Sequence, residues 1–332
     1  MEESWQAFFN VNPLSAMQQT TNPSLQYFIQ RDLLDQDPGS VEQLWTLPDV
    51  VRLLKKQLNS GAWPDPRYKQ HIDSPTNYLV LETYRNLGIL IELFGLNKSH
   101  PQIQQAAEYL FSTQTAEGDF RGIYGTQYSP NYGAGVLELL VKAGYREDER
   151  IYRAFQWFIS HPQNEGGWTA PIQTQGIKMY ECEEIMRHTE ALQFESTKPF
   201  SHSITGIVLR AFAAHPKYRD HPSAKKAGEL ITHRFFKADK YSSRQAVTYW
   251  TKYSFPFWWF DLISVLDALA LMGFPKDHPR INRALNYFKT EQHPSGIWKF
   301  YILKNQSQSD LNSWLSYVLC RAIKRIYQNS TK

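Results

Sequence analysis

Residues His278 to Trp298 read HPRINRALNYFKTEQHPSGIW, and this 21-residue window recurs without a gap at His100 to Phe120, Asp148 to Trp168 and His221 to Tyr241. Each copy holds a small or branched apolar residue three positions in (Ile281, Ile103, Ile151, Ala224) and alanine at six (Ala284, Ala106, Ala154, Ala227). At ten it holds a bulky apolar residue: Phe288, Leu110, Phe158 or Ile231. That is the i, i+3, i+7 spacing of one helix face, so each window predicts an amphipathic helix followed by a turn. A weaker fifth copy, Gln43 to Trp63, keeps the end of the pattern. A unit of this size cannot bury its own apolar face and must stack on its neighbours.

Ahead of every full window lies a second, more apolar helical stretch: Tyr78 to Phe94, Tyr132 to Ala143, His202 to Ala214 and Trp258 to Met272. Three of these stop at Gly95, Gly144 and Gly273, the usual place for a left-handed cap. Pro101, Pro222 and Pro279 then sit in the first turn of the next helix, where a missing N–H costs nothing. Adding an early helix, Ser24 to Leu34, and a late one, Asp310 to Tyr327, gives about six apolar helices and five amphipathic ones. A helix apolar on all sides is buried and one with a single stripe lies outside it. The expectation is an all-α, α/α toroid of five to six hairpins, with inner helices ringed by outer ones around a central cavity. We expect one domain over 1–332, with an N-terminal extension (1–23), helical repeats (24–327) and two insertions (169–200 and 241–257). Insertions of that length are more often functional than not.

Composition narrows the function. The aromatic residues, 10 Trp, 19 Tyr and 19 Phe, are enough to line a cavity as well as fill a core. The net charge of +4 is dispersed, which argues against nucleic-acid binding. Two cysteines rule out a disulfide framework and suit a reducing compartment. The first seventeen residues lack a signal-peptide pattern and no stretch reaches membrane-spanning length, so the default is a cytoplasmic protein, with peripheral membrane contact left open.

Three windows end Gln57-x-x-x-Gly61-x-Trp63, Gln114-x-x-x-Gly118-x-Phe120 and Gln292-x-x-x-Gly296-x-Trp298, and a fourth ends Gln163-Asn164-Glu165-Gly166-Gly167-Trp168. Glycine permits the turn, the glutamine amide bonds backbone groups exposed at a helix end, and the aromatic packs over the joint. This resembles the QW repeat of squalene-hopene cyclases and related terpenoid cyclases, shared in weaker form with protein prenyltransferase β-subunits. The resemblance spans roughly residues 24 to 327 and implies the toroid and a hydrophobic, isoprenoid-like small-molecule partner. It also implies an Asp-x-Asp-Asp acid, which this chain does not contain; Trp258-Trp259-Phe260-Asp261-Leu262-Ile263-Ser264 is the nearest counterpart, matching only at Asp261. The Asp-Asp-x-x-Asp magnesium motif and the prenyltransferase zinc motif are absent too, so no cofactor is expected.

Asp261 is the candidate acid if burial raises its pKa, and a helix-terminus aspartate otherwise. His202, opening an inner stretch, is the second catalytic candidate. Tyr84, Tyr132, Trp258, Trp259 and Trp314 are candidate substrate-binding aromatics, against the plainer reading of core packing. Cys182 and His188 are weak metal candidates because their spacing matches no tight pattern, and a lid with solvated charges is the simpler reading. His100, His221 and His278 recur at outer-helix starts and read as caps. Three function classes follow: a binder, and in a catalytic version a transformer, of an isoprenoid or other long apolar molecule; a non-catalytic scaffold or partner subunit; and a carbohydrate-active toroid pairing Glu181, Glu183 or Glu184 with Asp261.

Overall fold

The computed structural model describes residues 4–67, 74–177, 179–187, 190–241, 245–303 and 310–330. In chain order the helices are α1 (Pro13–Met17), α2 (Pro23–Asp32), α3 (Pro48–Leu54), α4 (Tyr78–Phe94), α5 (Pro101–Phe111), α6 (Pro130–Leu140) and α7 (Glu149–Ser160). They continue as α8 (Pro171–Thr174), α9 (Met179–Arg187), α10 (His202–Ala214), α11 (Pro222–Thr232), α12 (Leu262–Leu271), α13 (Pro279–Thr290) and α14 (Leu311–Asn329). Among the described residues there is no β-strand, only isolated bridges.

The predicted alternation is present. Helices α2, α4, α6, α10, α12 and α14 form a closed ring, each packed on the next and α14 returning onto α2. These are the apolar stretches: every residue of α12 is buried except Leu271, and in α10 all but Ser203 and Ala214. Helices α3, α5, α7, α11 and α13 lie in the windows; the four full copies bury the stripe read from the sequence, as Ile281, Ala284 and Phe288 in α13, whereas α3 in the weaker fifth copy buries Val50 and Leu54 instead. Gly95, with φ of 64°, caps α4 in the left-handed conformation. His100, His221 and His278 cap α5, α11 and α13, each imidazole Nδ1 accepting a backbone N–H from the first turn. Pro101, Pro222 and Pro279 follow as the first helical residue.

The repeat ending proves to be a joint between units. Trp63, Trp168 and Trp298 each donate the indole N–H to the carbonyl ten residues back, on Leu53, Phe158 and Phe288, at 2.9, 2.8 and 2.7 Å. Their backbone N–H groups donate to a hydroxyl on the next inner helix, that of Thr83, Thr205 or Ser316. The glutamine amide crosses to the next outer helix: Gln57 donates to the Gly61 and Gln102 carbonyls, and Gln114 to those of Gly118 and Arg150. The glycine is required twice over. Gly118 has φ of 107°, and a methyl group on it would lie 2.7 Å from the Arg153 carbonyl oxygen. Gly61 abuts the Gln105 carbonyl in the same way.

At the seam the last joint reaches the beginning of the chain. Gln292 donates to the Gly296 and Val11 carbonyls and accepts from the N–H groups of Asn10 and Val11. The helical turn Trp5–Phe8 and α1 pack on α14, so this N-terminal segment fills a sixth outer place.

Three features depart from the sequence reading. Trp258, Trp259 and Phe260 precede α12, because Asp261 stops the chain in an extended conformation and caps the helix with a reciprocal Ser264 bond. The window ending on Tyr241 has its buried tryptophan later, at Trp250, whose indole donates to the Lys237 carbonyl at 2.9 Å. Finally, Gln163 turns away from α11 and binds the carbonyls of Glu195 and Lys198 in the 169–200 insertion.

Candidate functional site at the mouth of the ring

Each outer helix returns the chain, so all inner helices begin at one end and the long connections gather there. Over that mouth lies an aromatic strap, Tyr253 to Phe260. Tyr253 pairs with the Tyr301 and Leu303 backbone. The strap is clamped from below by Arg210 of α10, whose guanidinium donates to the carbonyls of Phe257 (2.6 Å) and Trp259 (2.8 Å) and to Glu138 of α6 (2.9 Å). Burial alone would raise the Glu138 carboxyl, but Arg210 and Lys142 outweigh it and hold it below the usual carboxylate range.

From this clamp Trp258 reaches toward the axis. Its ring packs on Gly88, where a methyl group would lie 2.6 Å from it, and on Tyr84 at a centroid distance of 5.5 Å. Tyr84 meets Tyr132 at 6.1 Å, and Tyr132 meets Tyr124 at 5.4 Å. Burial pushes the Tyr84 hydroxyl well above its ordinary pKa, so it stays protonated. Trp314 stands apart, buried and stacked on Phe255 at 5.5 Å. Tyr84, Tyr132 and Trp258 therefore form one cluster, Trp259 belongs to the clamp and Trp314 supports the strap. Trp258 and Trp259 are half-buried, whereas the strap residues on either side of them, Phe257 and Phe260, are buried.

The 169–200 insertion roofs the adjoining side. Gln127 donates to the carbonyls of Ile185 and Glu190 and accepts from Leu192 N–H, which ties α9 and its exit to the loop before α6. Cys182 on α9 is half-buried, and burial together with Glu181 pushes its thiol up, away from a metal-binding thiolate. His188 lies outside the described residues, and among those described no three His, Cys, Asp or Glu side chains gather as a metal site.

The two catalytic candidates occupy separate helix starts. Asp261 accepts from Ser264 N–H at 2.8 Å through Oδ1, while Oδ2 is buried without a hydrogen-bond partner. Burial pushes its pKa up to about 7. His202 begins α10, its ring between Trp250 (4.8 Å) and Phe260 (5.0 Å), its Nε2 3.7 Å from Asp239 and its Nδ1 unpartnered. Burial lowers its pKa to about 4, so the imidazole is neutral. No described contact joins the two.

Below the aromatic cluster the axis is charged. Lys142 bridges Glu92 and Glu138, and Asp267 of α12 takes Arg321 and Arg325 of α14. Arg210 and Glu138, both about 5% exposed, are the site residues sequence reasoning missed. A signal existed: each is a lone charge in an otherwise apolar stretch, GVLELLV and GIVLRAFAA, and such a charge is nearly always paired when buried.

Residues 63–193 match the squalene-hopene cyclase C-terminal domain family. Over that stretch the match bears out the resemblance carried by the repeats. The matched stretch runs from Trp63 into the insertion and stops short of His202, the strap and Asp261. Among solved structures, the chain is similar to the type II terpene cyclase MstE from Scytonema, at 14% identity over 88% of this chain and all of that one, with a TM-score of 0.32. A variant of MstE in complex with geranylgeranyl dihydroxybenzoate gives 14% identity, coverage of 87% and 98%, and a TM-score of 0.35. A protein from Actinoplanes gives 11%, coverage of 89% and 100%, and 0.31. Scores this low carry no argument about the site. No curated protein matches the chain. No helix among the described residues is long and apolar enough to cross a membrane.

Proposed function

We propose that this protein binds an isoprenoid or another long apolar molecule at the mouth of the ring, against Trp258 and Trp259. The observation that carries the reading is the half-buried state of these two tryptophans in a strap whose other aromatic residues are buried. Tyr84, Tyr132 and Tyr124 stand behind them, and the family match supports the same class of ligand. Aromatic faces offer a long hydrocarbon large contact areas without directional demands, about 25 cal/mol for each Å² removed from water.

In a catalytic version Asp261, protonated below pH 7, is the acid. Its use as a helix cap favours the second reading, binding without chemistry. The test is titration with farnesol and geranylgeraniol, followed by calorimetry and by mass spectrometry of an organic extract of the purified protein. Trp258→Ala combined with Trp259→Ala is expected to weaken binding at least tenfold. Unchanged affinity in the folded double variant overturns the reading. Turnover lost in Asp261→Asn with affinity retained selects the catalytic version.

A further inference from the structure

A cavity of about 410 Å³ lies at the seam where the first inner helices meet the last. Its apolar wall is Ile89, Leu93 and Phe94 of α4, Leu53 of α3 and Trp314 of α14. Its rim carries Arg52 of α3 and Lys56, two residues past the end of that helix. The volume falls in the range of small-molecule sites. Trp314 separates it from the mouth, since that indole stacks on Phe255 of the strap.

Two observations point to a ligand with a polar head. The Ser24 hydroxyl, on a residue only 1% exposed, lines the cavity and has no hydrogen-bond partner, a cost that a ligand oxygen would relieve. The rim charges are also unevenly satisfied. Asp49 is held by Arg52 in an exposed pair, and Asp310 accepts from the Asn22 amide, whereas Lys56 makes no ion pair among the described residues. An exposed pair such as Arg52–Asp49 is worth little, so its guanidinium can turn to a better partner.

We infer that this seam cavity binds a single-chain amphiphile with a phosphate head: the chain lies against Ile89, Leu93, Phe94 and Trp314, and the phosphate sits between Arg52 and Lys56. This site is independent of ligand binding at the mouth. The experiment is calorimetric titration with geranylgeranyl phosphate and with geranylgeraniol, below their aggregation limits, at two salt concentrations. Wild type is expected to prefer the phosphate at least tenfold, less so at high salt. Arg52→Glu with Lys56→Glu, both exposed and so compatible with folding, abolishes that preference. Leu53→Trp, which fills the cavity from its half-buried edge, weakens binding of the phosphate. Trp258→Ala with Trp259→Ala leaves the preference intact, which separates this site from the mouth. A wild type that does not distinguish phosphate from alcohol overturns the inference, as does a preference that survives the double charge reversal.

Discussion

The joints of the outer ring and the strap over its mouth are built from similar materials, tryptophan and backbone carbonyls, yet they behave differently as sequence. At a joint the same residue types make the same bonds three times, and each partner sits at a fixed distance along the chain or in the next unit. The strap occurs once. Its clamp, Arg210, is some fifty residues from the carbonyls it holds, and its counter-charge, Glu138, lies another seventy residues back. Repetition marks what holds the ring together, and the unrepeated contacts mark where the ring differs from a plain scaffold.

The strongest way to break this contrast is to remove the clamp. Arg210→Met leaves Glu138 buried without its main partner and is expected to cost about 3–5 kcal/mol in urea unfolding. It also frees the strap, so Trp258 and Trp259 emission shifts to the red. A cost under about 1 kcal/mol, with emission unchanged, means that the strap is held by its own packing.

Next in size are the joint glycines. Gly118→Ala forces a side chain into the left-handed region and against the Arg153 carbonyl, for an expected loss of about 2–5 kcal/mol. Gly176 has φ of 68° but nothing within 4 Å of a built methyl group. Gly176→Ala therefore pays only the backbone term, about 1 kcal/mol. Equal losses at the two positions exclude the close approach as the reason for glycine in the repeat.

This difference explains what the sequence disclosed. The helix faces, the Gly95 cap, the histidine caps and the inner and outer layers follow from local spacing, as at Ile281, Ala284 and Phe288. The sixth outer place was not legible, because Gln292 reaches Val11 across the whole chain and Trp5–Met17 carries no copy of the window. In the site, Tyr84, Tyr132 and Trp258 are legible singly, as aromatics in apolar stretches, but their clustering depends on contacts between helices that leave no mark along the chain. Glu138 and Arg210 are visible as isolated charges, but their pairing is not, because pairing between helices has no period. For Asp261 both readings drew on the same position, and the bond to Ser264 shows that it caps the helix.

Two glutamines sharpen the comparison at about 1 kcal/mol each. Gln292→Ala removes the clasp on the N-terminal segment and is expected to raise amide exchange at Asn10, Val11 and through Leu14–Met17. Gln163→Ala leaves the ring intact and raises exchange in 190–200 instead, since its partners are Glu195 and Lys198. If Gln163→Ala loosens α11 rather than the insertion, the fourth joint is an ordinary one and the roof over the mouth is held elsewhere.

The smallest net effect comes from two buried groups with opposite signs. Folded Asp261 keeps its proton up to about pH 7 while an unfolded aspartate releases it near 3.8, so its contribution to stability is present at low pH and lost as pH rises across that interval. Folded His202 stays neutral down to about pH 4 while an unfolded histidine takes a proton near 6.5, so its contribution is lost as pH falls. Each slope is at most about 1.4 kcal/mol per pH unit, and between pH 4 and 6.5 they oppose each other. Asp261→Asn, which keeps the Oδ1 acceptor for Ser264, removes the first slope, and its stability relative to wild type should rise with pH. His202→Phe, which fits between Trp250 and Phe260, removes the second, and its stability relative to wild type should fall with pH. Thermal unfolding of the three proteins at half-unit steps from pH 4.5 to 6.5 reads both differences directly. Parallel profiles mean that neither group titrates differently in the fold, and Asp261 then lacks the raised pKa that an acid at the mouth requires.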